Sequence, residues 1–382
     1  MPDFLANPNG STTLPFGSFL SWYAMALHLL DGFETYGNGG IAGASLDAAL
    51  GQIWSAPGAT NGTDAYITTP GRGNAGACLH MPDDGYNYLY HNCGVSKQTW
   101  IIGFAIYTPK GAVNNGSNYI YQARDSVDGY QMTLRLGYLD SLQMWFGYWG
   151  GGAYFHQESN PLTFRTGQWN YVEIKYTIHD STGSYEVRVN GVNVLSASGI
   201  DTDFTNVGDV ERHIFVCAVN NQKFDDIYIC DDSGAEFNDW LGDQYTVIGI
   251  VPGGDTAQLD WSAQPAGSHY QNIDEDGGND NNDYVYDSTL GNEDLYDYDN
   301  LPVSPSDILL LDIWTQAALD IVGSESLIVT CQSGVTHSDG PTETVTDTNY
   351  TTFHRLLSQD PNTAAAWTEA GLNAAQFGVK VG

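Results

Sequence analysis

The chain has 382 residues and carries 46 acidic side chains against 12 Lys and Arg, a formal charge of −34. A surface this negative excludes the electrostatic grip on phosphates that nucleic-acid binding needs, and it makes anionic membranes equally poor partners. Forty-four glycines and 13% aromatic residues favour short strands and turns over helices, so the expected class is all-β.

Met1 to Leu30 reads as an extended N-terminal arm. Met1–Gly17 is rich in Pro, Gly, Asn, Ser and Thr without periodicity. The apolar stretch Phe19–Leu30 has no Lys or Arg before it and is shorter than the ~20 residues of a membrane span. It is expected as a short helix or strand, or as an arm docking on another subunit, with neither secretory signal nor membrane insertion.

Residues 31–235 are expected to form a first β domain, with strands near Ala77–Met81, Trp100–Tyr107, Asn118–Ala123, Gln131–Tyr138 and Leu142–Gly147. Its clearest part is a two-stranded arm from Trp169 to Asp201. Val172, Ile174, Tyr176 and Ile178 alternate with polar residues, as do Tyr185, Val187 and Val189. Asn190-Gly191 supplies the positive-φ pair of a tight hairpin turn. Glu173 and Glu186 then read as solvated partners of Lys175 and Arg188. A further hairpin is expected to pair Ile214–Val219 with Phe224–Ile229, placing Cys217 opposite Asp226 and beyond disulfide reach of Cys230. The five cysteines read as buried free thiols of a protein folded in a reducing cytoplasm, with Cys78–Cys93 left open as a pair.

Residues 236–300 form an acidic connecting region with a short strand at Gly242–Val251. Residues 301–382 form a C-terminal β domain with strands at Asp307–Leu319, Ser326–Cys331, Thr351–Leu357 and Phe377–Val381, and a helix or turn within Asn362–Ala374. Leu309-Leu-Leu311 with Ile313-Trp314 is a core or subunit-contact strand. Charge is uneven along the chain. From Phe224 to His354 there are 26 Asp or Glu and no Lys or Arg.

Three candidate sites emerge. Trp145, Tyr148, Trp149 and Tyr154 surround Gly150–Gly152, an arrangement suited to stacking on sugars or partner side chains, or to packing. Asp274, Glu275, Asp276, Asp280 and Asp283 line a Gly- and Asn-containing loop that could offer oxygens to Ca2+, although the spacing misses the EF-hand pattern; a hydrated acidic loop is the other reading. Catalysis is not expected. No Glu is followed two positions on by Asp or Glu, as a jelly-roll glucanase requires. Gln131–Arg135 stands alone against the Arg, Gln-His and Tyr-Lys groupings of a jelly-roll lyase, and His156 with Glu158 reads as loop polarity.

Asp31–Tyr36, Trp54, Gly71-Arg-Gly73, Ala77–Leu79, Trp100–Ala105, Gly167–Ile174 and Val189–Gly191, in that order, resemble the laminin G-like or concanavalin A-like jelly roll. Phe224–Tyr228, Phe237–Asp243, Trp261, Tyr270, Ile273–Glu275, Asp283–Val285, Asp307–Asp312, Asp360–Thr368 and Phe377–Val381 resemble structural proteins of tailed bacteriophages. The resemblance implies a concanavalin A-like β-sandwich in a homo-oligomeric virion protein made in the host cytoplasm. Capsid decoration, a head fibre or a tail-associated protein are the implied roles, with major capsid or tail proteins as partners. A tail adhesin for a host-surface glycan is the alternative, followed by a polysaccharide-degrading enzyme.

Overall fold

Strand alternation decides the architecture. In Gly183–Val189 every second side chain is buried, and in Trp169–Thr177 Val172, Ile174 and Tyr176 point inward. The two strands pair antiparallel, closed by Asn190 at φ 49° and Gly191 at φ 74°, as the turn chemistry dictates. The computed structural model describes residues 2–7, 26–36, 44–51, 53–55, 65–74, 76–82, 87–110, 118–137, 141–146, 155–217, 219, 221–274 and 282–382. The fold is all-β, with antiparallel pairing throughout the described strands.

The chain divides into two compact units. One comprises Ser18–Phe33 and Asn38–Asp243; the other comprises Met1–Gly17, Glu34–Gly37 and Gln244–Gly382. The first unit is a jelly-roll β-sandwich of two sheets. Its eight-stranded sheet runs Val192–Ile200, Gly183–Val189, Trp169–Thr177, Thr99–Tyr107, Gln222–Asp231, Cys78–Met81, Tyr66–Thr68, with Leu27–Asp31 also pairing to Gln222–Asp231. The six-stranded sheet runs Phe155–Glu158, Leu142–Phe146, Tyr130–Leu136, Asn118–Arg124, Val210–Cys217, Asn87–Lys97. Phe104 and Phe224 of the larger sheet meet Tyr121 and Phe215 of the smaller, with ring centroids 5.3–6.3 Å apart. These rings form the dry interior of the sandwich.

Several expectations need correction. Val210–Cys217 and Gln222–Asp231 do not form a hairpin; the chain crosses from one sheet to the other between them, and Phe215 faces Phe224 across the core. Cys78 and Cys93 lie in different sheets, and all five cysteines are free thiols. Glu173 is buried rather than solvated.

The expected arm is not a separate body. Pro2–Asn7 lies inside the four-stranded sheet of the second unit, paired with Thr246–Gly249 on one side and Asp307–Ala317 on the other, and Thr351–Leu357 completes the sheet. Leu27–Asp31 belongs to the jelly roll. The remainder of the arm, 8–25, lies outside the described residues. Nor do 236–300 stand apart from 301–382. Pro252–Leu259 and Glu293–Tyr298 share a five-stranded sheet with Gln376–Val381, Glu325–Ser333 and Thr336–Val345. The core of this unit gathers Ile308, Leu311, Ile313, Val329, Cys331, Trp367 and Phe377, so the 309–314 stretch supplies core residues.

Candidate functional site

In the six-stranded sheet, residues alternating with the core-facing Met132, Leu134, Tyr121 and Phe215 lie on the opposite face, where Tyr119, Gln122, Thr133, Arg135 and Ile214 are themselves buried. Cross-strand register lines them up in rows. One row is Trp145, Thr133, Gln122, Ile214 and Tyr90. A neighbouring row is Glu158, Gln143, Arg135 and Tyr119. A register shift between Tyr119 and Tyr121 puts Tyr121 in the core while Tyr119 packs with Ile214, Val216, Tyr88 and Tyr90 in a small cluster of its own.

Arginines lie over the rings of this face. Arg135 sits 5.3 Å from the Tyr119 ring and 5.6 Å from that of Trp145. Arg124 lies 4.1 Å from Tyr130, and Arg212 lies 4.9 Å from Tyr90. Both of the latter also bind Asp128, at 2.8 and 2.6 Å. Burial lowers the pKa of Arg135, with the Tyr119 hydroxyl acting in the opposite sense. Three of the chain's twelve basic side chains thus brace one aromatic face. Half-buried Tyr88, Tyr90, Trp145 and Gln143 leave ring faces and an amide at the surface. Rings stack against the C–H faces of pyranoses, and amides and hydroxyls bond sugar hydroxyls.

Of the four aromatic residues singled out in the sequence, Trp145 is on this face, its indole N–H reaching Gln143 Oε1 at 3.4 Å. Tyr148, Trp149 and Tyr154 lie outside the described residues, as do Glu275, Asp276 and Asp280 of the acidic loop. Asp274 and Asp283 are described at the two ends of that loop. Tyr88, Tyr90, Tyr119 and Gln122 were missed, and Arg135 was read in isolation, because their rows are assembled from strands far apart in sequence. The alternation of Tyr88 with Tyr90, and of Thr133 with Arg135, was the available signal.

The acidic signature at Phe224–Asp226 has a structural use in the other sheet. The Arg72 backbone N–H donates to Asp225 at 2.6 Å, and its guanidinium binds Asp226 and the Asp243 carbonyl, the latter at 2.9 Å, while lying 4.7 Å from the Tyr171 ring. Burial, then the charge of Asp226, pushes the Asp225 carboxyl well up.

No protein-family model matches the chain, and no curated protein matches it. Among solved structures it is similar to an endo-β-1,4-glucuronan lyase from the fungus Trichoderma reesei, with TM-score 0.34 and 13% identity over 44% of this chain and 86% of that one. The alginate lyase Aly36B matches with TM-score 0.34 and 12% identity, over 55% of this chain and 98% of that one. The IT-sialidase CBM40 of Ruminococcus gnavus, bound to α2,3-sialyllactose, matches with TM-score 0.28 and 13% identity over 37% and 80%. The expectation that the chain is not an enzyme is corrected by the lyase matches, and it is withdrawn. Arg135 does not stand alone but shares a row with Gln143 and Glu158, and His156 is no loop residue, since it pairs with Trp145 in register.

Proposed function

We propose that this chain is a structural protein of a tailed-phage virion, seated on capsid or tail, whose jelly roll binds a host-surface glycan on the outer face of its six-stranded sheet. The observation that carries the glycan reading is the set of half-buried Tyr88, Tyr90 and Trp145 braced by Arg135 and Arg212, with half-buried Gln143 beside them and Tyr119, Gln122 and Thr133 buried beneath. Stacking on rings held rigid by guanidinium groups costs little side-chain entropy. The formal charge of −34 works against polyanionic ligands, so the glycan is one of low charge density. The virion reading rests on the sequence resemblance of 224–381 to phage structural proteins.

Two experiments test these parts separately. On an array of neutral and acidic glycans, the double variant Trp145→Ala, Tyr90→Ala is expected to lose about tenfold or more in affinity, since stacked rings contribute on the order of 1 kcal/mol each. Unchanged binding in that variant would reject the face as the site. Electron microscopy of an intact particle reports the rest: many copies over the shell mean decoration, a few at the tail tip mean receptor engagement, and none rejects the virion reading.

A further inference from the structure

The geometry points to a divalent transition-metal site on the five-stranded sheet of the second unit, formed by Glu293, His337 and Asp339. One donor atom from each of these residues lies within 4.8 Å of the others. His337 Nε2 is 2.6 Å from Glu293 Oε1, and Nδ1 is 3.5 Å from Asp339 Oδ1. The Thr330 hydroxyl lies 3.1 Å from His337 Nε2 and 3.2 Å from Asp339 Oδ1, tying the imidazole to the carboxylate. Two strands of one sheet, Glu293–Tyr298 and Thr336–Val345, supply the three donors, and Thr330 comes from a third strand between them, so no donor sits on a loop.

Glu293 reaches His337 across two intervening strands of the sheet. Gly378 stands in the row of Leu295, Thr330 and Asp339, between the strands that carry Glu293 and His337. Its strand approaches so closely that a Cβ there would lie 1.9 Å from the Asp294 carbonyl oxygen. Lys380 takes the far oxygen of Asp339, Oδ2, at 2.7 Å, orienting the carboxylate without covering Oδ1.

One imidazole and two carboxylates match the donors that zinc and its neighbours prefer, at bonds of about 2.0–2.2 Å and donor separations of roughly 3.3 Å in a tetrahedron. The shortest of the present separations is 2.6 Å and all lie within 4.8 Å, a spread within reach of that value by side-chain adjustment. Calcium, which takes about six to eight oxygens, is poorly served. The side chains of His337 and Asp339 are each 35% exposed, so a solvent molecule has access to the fourth position. The charge of this unit helps, because the stretch from Gln244 to His354 has 19 acidic residues and no Lys or Arg.

Tag-free, chelator-treated full-length protein titrated calorimetrically with Zn2+, and with Co2+ followed by its visible absorption, tests the site. Expected are saturable uptake of one equivalent, a tetrahedral or five-coordinate Co2+ spectrum, and affinity reduced about tenfold or more in His337→Ala and in Glu293→Gln. Lys380→Met, which keeps all three donors, is expected to bind at least as tightly, and excess Ca2+ is expected not to displace Zn2+. Far-UV circular dichroism verifies that each variant is folded. Uptake undiminished in folded His337→Ala, displacement by Ca2+, or no saturable uptake in the unsubstituted protein would overturn the assignment in favour of a hydrogen-bonded surface network or diffuse cation binding.

Discussion

Glu173 takes a carboxylate into the protein interior, where Oε1 accepts the Tyr228 hydroxyl at 2.7 Å and the Gly242 N–H at 2.9 Å. Burial raises its pKa, and these two hydrogen bonds hold the rise back. The side chain therefore acts chiefly as an acceptor. Glu173→Gln keeps an acceptor oxygen and is expected to be neutral or stabilising in urea denaturation, whereas Glu173→Ala strands both donors and is expected to cost about 1–3 kcal/mol. Equal losses in both variants would show that the charge itself matters. Alternation alone could not reveal this burial, because the cover comes from Gly242, 69 residues along the chain. Lys175 pairs with Asp239 at 2.9 Å, and Arg188 pairs with Glu186 at 2.6 Å while lying 4.1 Å from the Trp240 ring. Asp231 shows the opposite shift. Burial works to raise its pKa, but bonds from Ser233, His28 and Lys97 prevail and hold it at about 2. A carboxyl depressed from 3.8 contributes stability that is present above the unfolded value and lost as pH falls towards 2. Asp231→Asn should therefore flatten the acid limb of the stability curve between pH 4 and about 2; an unchanged limb would remove Asp231 as its source.

At the scale of elements, the Asn190-Gly191 turn was legible because only a few residue types accept positive φ. Gly191, at φ 74°, sits where a Cβ would lie 3.3 Å from Asp243 Oδ1. Gly191→Ala is expected to cost roughly 1–2 kcal/mol by urea denaturation, with Asn190→Gly nearly neutral. No loss in Gly191→Ala would mean that the turn relaxes into another type. Other elements escaped sequence reading for physical reasons. Glu293–Tyr298 carries Glu293, Asp294 and Asp297 and reads as a polar loop, yet Asp294 is fully buried because it accepts the Trp261 N–H at 2.8 Å, the Tyr296 hydroxyl at 2.9 Å and the His269 ring at 2.7 Å. Thr336–Val345 is an edge strand in which only Val345 is buried, so no hydrophobic period marks it. The mistaken hairpin of Ile214–Val219 with Phe224–Ile229 came from short sequence separation, which in a sandwich equally serves a crossing between sheets.

For the whole molecule, the all-β class and the sandwich were visible in composition and alternation, while the candidate face was visible only as Trp145, since six strands from Asn87 to Cys217 build it. The charge was plain from the sequence, and the structure shows how little of it is neutralised. Seven of the basic side chains, Arg72, Lys97, Arg124, Lys175, Arg188, Arg212 and Lys380, already pair with carboxylates. Most of the 46 acidic groups therefore face a repulsive field that twelve basic residues cannot offset. At ~10 mM salt that field extends over roughly 30 Å, and at ~150 mM over roughly 8 Å. Screening relieves the folded state more than the expanded one, because folding brings the charges together. Melting temperature is accordingly expected to rise with NaCl at fixed neutral pH, at roughly 2–4 °C per kcal/mol of relieved repulsion for units of this size. An equal ionic strength of a different monovalent chloride should give the same rise, since screening depends on ionic strength and not on the identity of the cation. A melting temperature that stays flat or falls between low and physiological salt would mean that the paired charges, which screening weakens, outweigh the unpaired ones.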